Sequence, residues 1–399
     1  MALGISENCR QIAPSATFAM DAKAKELRAS GVNVIGFAAG EPDFDTPKPI
    51  RDAMKDAMDM GMTRYTPVPG TLELRDAIAQ RLKLDHGLEY ARNEIIVSNG
   101  AKHSLYTAFQ TILDYKDEVI IPTPCWVSYP EMVRMAGGVP VFVEGKEEND
   151  FVPSMEDIKS KITSKTKAFM LTSPNNPNGN VWPEANICEL ADVAVKNEFY
   201  VISDEIYEKL VYGGMEHVSI ATLNDKIKAQ TLLVNGVSKS YAMTGFRIGY
   251  TAGPKDVIAA MNNYQSQATS APNAGAQHAA AVALTMDQSC VEEMRQAFEE
   301  RRNKLVELIN NIDGVSCRMP DGAFYVMLNM KQLIGKHYGD EEIIDSEAFA
   351  ELLLMKAHVA VVPGGAFMAE GYCRLSYSTS MDNICEGMKR IASFVKELR

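Results

Sequence analysis

Short apolar runs alternate with helix-length amphipathic segments between residues 95 and 252, and this alternation constrains the fold more than any other feature. An apolar run followed by a longer amphipathic segment is typical of a strand and the helix that leads to the next parallel strand. The pattern therefore predicts an α/β fold built on a mainly parallel sheet. Seven strands are predicted: Ile95–Ser98, Glu118–Pro122, Val139–Val143, Ala168–Thr172, Tyr200–Ser203, Thr231–Val234 and Ile248–Ala252.

The connection between Val234 and Ile248 differs from the others, because it holds only 13 residues and includes glycines and serines. A crossover between parallel strands needs about a dozen residues or more, usually arranged as a helix. This segment is marginal for such a helix. We therefore expect the last strand, Ile248–Ala252, to run antiparallel to its neighbours.

The rhythm changes after residue 290, where apolar residues such as Val291, Met294 and Phe298 fall on one helical face. Short β-like runs follow at Phe324–Leu328, Val359–Val362 and Cys373–Tyr377, and a last amphipathic helix ends the chain. We predict a large domain over 47–289 and a smaller α+β domain over 290–399. The segment 1–46, which contains the turn-rich GEPDFDTP, is predicted to pack with the smaller domain.

The formal net charge of −12 limits the classes of partner. An acidic surface repels phosphate backbones and anionic lipids, so nucleic-acid and membrane partners are disfavoured. No apolar run approaches the ~20 residues of a membrane-spanning helix, and the first residues lack the pattern of a secretion signal. The seven cysteines form no CxxC pair and the six histidines no HExxH motif, so we expect a cytoplasmic protein with reduced thiols and no metal site.

Two polar segments follow predicted strands, where ligands bind in open α/β sheets. The first, Ser173–Gly179, contains Asn176, whose amide can donate a hydrogen bond to a ligand oxygen; alone it is more typical of a plain turn. The second, Ser203–Tyr207, contains Asp204. A carboxylate there can keep a pyridine nitrogen protonated, although capping of the next helix explains the residue equally well.

Two further segments carry positive or donor groups. Lys239 follows a strand in a loop of small residues, and Arg247 comes eight residues later. A lysine amine can form an imine with an aldehyde cofactor, and an arginine can grip a phosphate with two hydrogen bonds; a single lysine is usually only a solvated surface charge. The turn Asn99–Lys102 at a predicted helix start offers free N–H groups to a phosphate, or is an ordinary strand–helix turn.

Taken in order, these segments resemble the class I/II aminotransferases, the pyridoxal-5′-phosphate (PLP) enzymes of fold type I. The likeness covers nearly the whole chain and is nearest to the bacterial aspartate aminotransferases. It implies a large domain with a mostly parallel seven-stranded sheet and a smaller α+β domain. The segments that carry it are PSATFAM, GEPDFDTP, RYTPVPG, NGAKHSLY, CWVSYPEM, SPNNPNG, SDEIYE, SKSYAMTGFRIGY, DGAFYV and CRLSYSTS.

The resemblance implies roles for residues around the cofactor ring. Lys239 would form the imine with PLP and then move the proton between the substrate Cα and C4′ of the cofactor. Asp204 would pair with the pyridine nitrogen. Tyr207 and Asn176 would hydrogen-bond the 3′ oxygen of the ring, and Trp126 would stack on the ring.

The resemblance also implies how the cofactor phosphate would be held. The backbone at Gly100 and Ala101, with Lys102 beside it, would open the phosphate loop, and Arg247 would bind the phosphate directly. Tyr65 would reach the phosphate of the other subunit, which implies an obligate homodimer.

The substrate would be held by a further set of residues. Arg374 would take the α-carboxylate in a two-pronged salt bridge, helped by the backbone of Gly40, with Trp126 and Asn176 also lining the substrate. Thr17 and Lys102 match positions that help hold a distal carboxylate in aspartate-using relatives. The resemblance therefore implies aspartate as amino donor and 2-oxoglutarate as acceptor, in a ping-pong reaction.

Two positions depart from the family pattern. Many relatives have a serine three residues before the Schiff-base lysine as a phosphate ligand, and here that residue is Gly236. Either Ser238 compensates, or one phosphate contact is missing. Relatives that transaminate prephenate often carry a basic residue just before the PSxT segment, where this chain has Ala13.

Several alternatives stay open. The chain could instead be an aromatic, alanine-type or prephenate aminotransferase, and the same lysine could serve a PLP-dependent C–S β-lyase that eliminates from Cβ. Some regulators use an aminotransferase-like domain as a ligand sensor behind an N-terminal DNA-binding module. This chain begins with the enzyme-like segment and is acidic, and both features disfavour a regulator.

Overall fold

The structure is a computed structural model that describes residues 4–10, 12–14 and 16–399, with the side chains of residues 7, 8 and 16–18 left undescribed. Its strands are β1 (Ile35–Gly36), β2 (Ile95–Ser98), β3 (Glu118–Thr123), β4 (Val139–Glu144), β5 (Thr166–Thr172), β6 (Tyr200–Asp204), β7 (Thr231–Gly236), β8 (Gly249–Ala252), β9 (Tyr325–Asn329), β10 (His337–Tyr338), β11 (Glu341–Glu342), β12 (Val359–Ala360), β13 (Val362–Pro363) and β14 (Tyr372–Ser376).

The helices lie before, between and after these strands. They are α1 (Glu7–Arg10), α2 (Ala16–Ala29), α3 (Lys48–Asp59), α4 (Leu72–His86), α5 (Ala101–Ile112), α6 (Ser128–Met135), α7 (Met155–Ser160), α8 (Glu184–Asn197), α9 (Asp225–Lys228), α10 (Lys255–Ala268), α11 (Ala274–Thr285), α12 (Ser289–Asn310), α13 (Ser346–Ala357) and α14 (Met381–Glu397). Across the described part of the chain, every helix is too short or too polar to span a bilayer.

A seven-stranded sheet in the order β2-β8-β7-β6-β5-β3-β4 forms the centre of the molecule. All its neighbouring pairs are parallel except those of β8, which runs antiparallel to β7 and to β2. The seven predicted strands and the antiparallel direction of the last one are therefore confirmed. The predicted strand ends differ from the observed ones by two residues at most.

Helices cover both faces of this sheet because its strands are apolar on both sides. On one face α5 and α10 bring Leu105 and Met261 against Ile96 of β2. On the other face, α4 and α11 pack against neighbouring residues such as Val97. Fully burying each such side chain contributes about 1.5–3 kcal/mol, so the two layers hold the sheet rigidly.

The smaller layer is an antiparallel sheet of β13, β14 and β9, packed with α12, α13 and α14. β1 and β12 form a separate two-stranded parallel sheet that pairs Ile35 with Val359 and packs into the same core. The predicted strand Val359–Val362 is wrong as a single element. Its two halves pair with different partners, β1 and β14, and the buried Val361 lies between them. The domain boundaries at 46/47 and 289/290 stay predictions.

The carboxyl ends of β2, β5, β6 and β7 all meet at one edge of the large sheet, because these strands are parallel in direction. The segments that follow them contain Gly100, Asn176, Asp204 and Lys239. The topology thus gathers four separate polar segments at one edge, which is where open α/β sheets bind ligands.

Candidate active site

Asp204 is the last residue of β6 and is 4% exposed. Its Oδ2 accepts a hydrogen bond from the Tyr129 hydroxyl at 2.7 Å, and the Thr172 hydroxyl in turn donates to the Tyr129 oxygen at 2.9 Å. Burial raises the pKa of Asp204 to about 6, although the hydrogen bond from Tyr129 opposes the rise. A buried carboxylate held in this way is suited to pair with a cationic N–H group of a ligand.

Lys239 lies in the loop after β7 and is half-buried. Its ammonium donates to the carbonyl oxygen of Gly40 at 2.6 Å. Burial lowers the pKa of Lys239 to about 8; Glu41 opposes this shift, whereas Arg247 and Arg374 add to it. A substantial fraction of the amine is therefore neutral near pH 8, which is the form that attacks a carbonyl carbon or accepts a proton.

Arg374 is a cation buried in the middle of β14, only 1% exposed. Its Nη1 donates to the Asn176 side-chain oxygen at 2.9 Å and its Nη2 to the Ala38 carbonyl at 2.9 Å. Its Nε has no hydrogen-bond partner, and burial lowers its pKa. A buried guanidinium without an anion is costly, and a ligand carboxylate would offset that cost.

The ring of Tyr325 lies 4.4 Å from the Arg374 guanidinium carbon, and the ring of Phe367 lies 5.0 Å from it. The Tyr325 hydroxyl also lies 3.0 Å from the hydroxyl of Tyr207. Tyr207 is buried, and burial raises its pKa, so it stays a neutral hydroxyl at ordinary pH. These contacts link Tyr207 to Arg374 through a single side chain.

A small-residue turn and Arg247 form a positively polarised cradle at the start of α5. Gly100 adopts a φ of +84°, and a Cβ there would lie 2.4 Å from Nη2 of Arg247. A Cβ on Gly249 would lie 2.2 Å from the backbone nitrogen of Ala101. Only glycines at these two positions let the helix start approach β8 so closely. The N–H groups at a helix start beside an arginine are suited to an anion such as phosphate.

Trp126 contacts both Lys102 and Tyr129, the residue whose hydroxyl donates to Asp204. Trp126 is half-buried and meets Tyr129 edge-on, with ring centroids 5.3 Å apart. The Lys102 ammonium lies 4.7 Å from the Trp126 ring centroid, and burial together with Arg247 lowers the pKa of Lys102. The indole thus presents a flat apolar surface next to a cation.

Gly236 has no room for a side chain. A Cβ there would lie 2.8 Å from the carbonyl oxygen of Ile248 and 2.9 Å from the Cα of Gly249. A serine at this position would require the backbone of β8 to shift. The neighbouring Ser238 is buried, and whether it replaces the missing contact stays a prediction.

One of the predicted site residues, Tyr65, is not part of this cluster, and another, Thr17, has no described side chain. Tyr65 is 98% exposed, so its side chain makes little contact with the rest of a single chain. Thr17 belongs to α2, but its side chain lies outside the described residues. The other predicted site residues occupy the sheet edge and the facing small layer, while their roles stay predictions.

The cluster also contains residues that the sequence analysis did not assign. Tyr129 hydrogen-bonds Asp204, Tyr325 contacts Tyr207 and Arg374, and Thr172 donates to Tyr129. Tyr129 and Tyr325 stand in the segments CWVSYPEM and DGAFYV. The only sequence signal for these two tyrosines was their place in segments that carry the family resemblance. No rule of sequence spacing predicts which residues they contact.

A second buried polar cluster lies directly after Asp204. Glu205 is fully buried, and its Oε1 accepts hydrogen bonds from the hydroxyls of Ser203 and Ser219 at 2.8 and 2.7 Å. Its Oε2 lies 3.1 Å from Nε2 of His217. Each oxygen of this carboxylate is therefore satisfied within the protein.

Glu208 and His86 complete that second cluster, with Nε2 of His86 2.6 Å from Oε2 of Glu208. Burial opposes ionisation of both groups, but the hydrogen bond and the electrostatic attraction between them outweigh the effect of burial. The pKa of Glu208 is lowered to about 2, and the pKa of His86 is raised. His86, Glu205 and Glu208 place ligand atoms within 4.8 Å of one another. These atoms already pair within the cluster, so its geometry is that of a buried ion pair.

Comparison with known proteins agrees with this arrangement. The family model for aminotransferase class I and II matches residues 32–391. The aspartate aminotransferase of Bacillus subtilis (strain 168) is 49% identical over 393 residues, 98% of this chain and 99% of that protein. The aspartate/prephenate aminotransferase of Thermus thermophilus is 45% identical over 392 residues, 98% of each chain.

Solved structures give the same result for the fold. The aspartate aminotransferase from Rhizobium meliloti superimposes with a TM-score of 0.96 at 40% identity, covering 100% of both chains. The aspartate aminotransferase from Thermus thermophilus with maleate has a TM-score of 0.92 at 44% identity, over 98% of this chain and 100% of that one. The prediction of fold type I is confirmed, and the chain belongs to the class I and II aminotransferases, a family of PLP-dependent enzymes.

Proposed function

We propose that this chain is a cytoplasmic aspartate aminotransferase that binds PLP, accepts 2-oxoglutarate as second substrate and works as a homodimer. The observation that carries the proposal is the buried Arg374, which lies beside Asn176 and has no anionic partner among the described residues. An amino acid carboxylate supplies the missing anion. The names of the relatives favour aspartate as the donor.

The residues fit PLP. The cradle of Gly100, Ala101 and Arg247 would hold the phosphate, and Asp204 would hold a proton on the ring nitrogen. Lys239 would bond the aldehyde carbon. These assignments rest on the chemistry of the donor groups: helix N–H groups for a dianion, a buried carboxylate for a pyridinium, and an amine of lowered pKa for an aldehyde.

PLP, when bound, supplies a protonated ring that accepts the electrons left when the substrate Cα loses its proton. The protein supplies position and proton transfer. Arg374 would orient the α-carboxylate, which fixes Cα relative to Lys239. The Lys239 amine, released once the substrate amine has replaced it, would take the proton from Cα. Tyr207 and Asn176 would donate hydrogen bonds to the 3′ oxygen, and Trp126 would cover the ring.

Recognition of the second carboxylate is assigned to Lys102 and Thr17. Lys102 lies against Trp126, where a cation can meet the distal carboxylate of aspartate or 2-oxoglutarate. Gly40 would add its backbone N–H to the α-carboxylate site, because Gly40 lies beside Lys239, whose ammonium donates to its carbonyl oxygen.

The homodimer is proposed because Tyr65 is almost fully exposed in one chain. A tyrosine at this position would reach the phosphate cradle of the partner subunit. Met58, Met60 and Leu72 are also exposed, at 57%, 61% and 54%, and they add apolar area on the same stretch of the chain. Burial of such area stabilises association.

Prephenate is the second candidate as amino acceptor, because two relatives are called aspartate/prephenate aminotransferases. Ala13 counts against it. The test is a panel of amino acids added to the PLP-loaded protein, with the change in cofactor absorbance followed for aspartate, alanine and phenylalanine, and with prephenate and 2-oxoglutarate compared as acceptors. A higher kcat/KM for aspartate than for the other donors supports the proposal. Release of pyruvate and sulfide from cysteine without an oxo acid would favour a β-lyase instead.

A further inference from the structure

Tyr325 stands between the two halves of the candidate site. It begins β9, which pairs antiparallel with β14 in the register Arg374 to Met327 and Ser376 to Tyr325. Residues two apart on a strand share a face, so Tyr325 and Arg374 are diagonal neighbours on the same face of this sheet. The register of the small sheet therefore fixes their contact.

The ring of Tyr325 supports the Arg374 guanidinium. The ring centroid lies 4.4 Å from the guanidinium carbon, and Tyr325 is fully buried. A cation over an aromatic face is stabilised most when water is excluded. The ring thus helps to hold the plane of Arg374 in a fixed orientation, with Nη1 and Nη2 anchored on Asn176 and Ala38.

The hydroxyl of Tyr325 makes a separate set of contacts. It lies 3.0 Å from the Tyr207 hydroxyl, and a Cβ on Gly40 would lie 3.3 Å from its oxygen. The carbonyl of the same Gly40 accepts the hydrogen bond from Lys239. The hydroxyl therefore fills the space between Tyr207 and the turn that receives the lysine.

We propose that Tyr325 is a positioning residue with two separable parts: its ring aligns Arg374 for the substrate carboxylate, and its hydroxyl donates to Tyr207. This inference rests on the proposed function. Tyr325 acts through Tyr207 and Arg374, whose groups would meet the cofactor and the substrate. It therefore connects the carboxylate site to the cofactor site within one side chain.

The direction of the hydrogen bond between the Tyr325 and Tyr207 hydroxyls follows from the fact that each hydroxyl has only one proton to donate. If Tyr207 donates its only proton to the 3′ oxygen of the cofactor, its own oxygen must accept the proton of Tyr325. A hydroxyl that accepts a hydrogen bond becomes a stronger donor. Removal of the Tyr325 hydroxyl would leave Tyr207 a weaker donor, and negative charge on the 3′ oxygen would be less stabilised.

The test uses the PLP-loaded protein and three variants, Tyr325→Phe, Tyr325→Leu and Tyr377→Phe. The first removes only the hydroxyl, and the second removes the ring as well. Tyr377 is a matched control, because it is also fully buried and its hydroxyl donates to the backbone carbonyl of Ala323 at 3.2 Å. The readouts are the pH midpoint of the cofactor absorbance change without substrate, and the KM for the amino donor.

In Tyr325→Phe the midpoint rises by about half a pH unit, because the more basic 3′ oxygen holds its shared proton more tightly, and KM stays within about twofold. In Tyr325→Leu, KM also rises about tenfold. Tyr377→Phe changes neither readout. An unchanged midpoint in Tyr325→Phe, or an equal shift in Tyr377→Phe, overturns the positioning role. Failure of the proposed function is distinguishable, since the unmodified protein would then show no cofactor band or no donor turnover.

Discussion

Two clusters of buried charged groups lie next to each other in the sequence, since one contains Asp204 and the other contains Glu205. They differ in whether their charged groups pair with one another. In the paired cluster, which contains Glu205, Glu208 and His86, the last two residues pair directly at 2.6 Å. In the unpaired cluster, Lys239, Asp204 and Arg374 form no ion pair within 4.0 Å among the described residues. The charged groups of the paired cluster are satisfied without a ligand, whereas those of the unpaired cluster can still interact with a cationic ring, an aldehyde and a carboxylate.

The difference teaches which buried charges serve structure and which serve binding. Breaking a buried pair leaves an uncompensated charge, which costs about 3–5 kcal/mol. An unpaired buried charge already carries part of that cost in the folded state, and a ligand of opposite charge relieves it. Substitutions in the paired cluster should therefore reduce stability, and substitutions in the unpaired cluster should reduce activity.

The largest expected effect is the loss of activity in Lys239→Ala. Removal of the proton-transferring amine should lower kcat by about 10⁴-fold, because a positioned general base contributes up to that factor. Lys209→Ala is the control, since Lys209 pairs with Asp85 at 2.7 Å outside the site. Steady-state transamination assays measure both variants. A comparable loss of kcat in Lys239→Ala and Lys209→Ala would contradict the assignment of catalysis to the unpaired cluster.

The next effect is on stability, in Glu208→Gln. This variant leaves His86 without its anion, and the free energy of unfolding should fall by about 3 kcal/mol while kcat stays within about threefold. Glu89→Gln removes a carboxylate of the exposed Lys83–Glu89 pair and should leave stability nearly unchanged. Urea unfolding monitored by circular dichroism provides the comparison. If Glu208→Gln loses activity without losing stability, the paired cluster belongs to the active site.

Arg374→Lys should mainly affect substrate binding. A lysine cannot make the two parallel hydrogen bonds of a guanidinium, so KM for the amino donor should rise about 50-fold. Arg302→Lys is a buried control, because Arg302 donates to the Pro320 carbonyl at 3.0 Å, outside the candidate site. An unchanged KM in Arg374→Lys would contradict the proposal that Arg374 binds the substrate carboxylate.

The smallest effect is a difference in pH dependence of stability without ligand. The pKa of Lys239 is lowered to about 8 by burial, so the unfolded chain binds more protons between pH 8 and 10.5 and stability from this group rises with pH there. The pKa of His86 is raised above 6.5 because Glu208 outweighs burial, so its contribution is full below pH 6.5 and is lost as pH rises through the folded pKa.

The two slopes are separable by substitution. Lys239→Met should remove the rise between pH 8 and 10.5, and His86→Gln should remove the fall above pH 6.5. Unfolding free energies measured across this range test both. Retention of the full pH profile by both variants would contradict the assignment of the slopes to these groups.

The sequence predicted the large sheet well because its strands are buried on both faces and read as continuous apolar runs. The same logic made Asp204 and Lys239 candidates, since Asp204 directly follows one predicted strand and Lys239 comes five residues after the end of another. Their roles came only from the family resemblance. Arg374 was found only through the family resemblance. Its strand is short, and nothing in its spacing distinguishes it from a structural arginine.

The parts that escaped prediction depend on contacts between distant segments. Tyr129 reaches Asp204 across 75 positions of sequence, and Tyr325 reaches Tyr207 across 118. These contacts follow from the packing of helices and from strand register, which local patterns do not encode. The division of Val359–Val362 escaped for the same reason, because only the tertiary fold assigns its two halves to different partners.

The most direct test of the central claim is to reduce the PLP-loaded protein with borohydride, digest it and locate the modified lysine by mass spectrometry. The account predicts a single phosphopyridoxyl group on Lys239, with none on Lys102 or Lys209. Modification of another lysine, or no covalent label despite bound PLP, would contradict the assignment of the unpaired cluster as the active site.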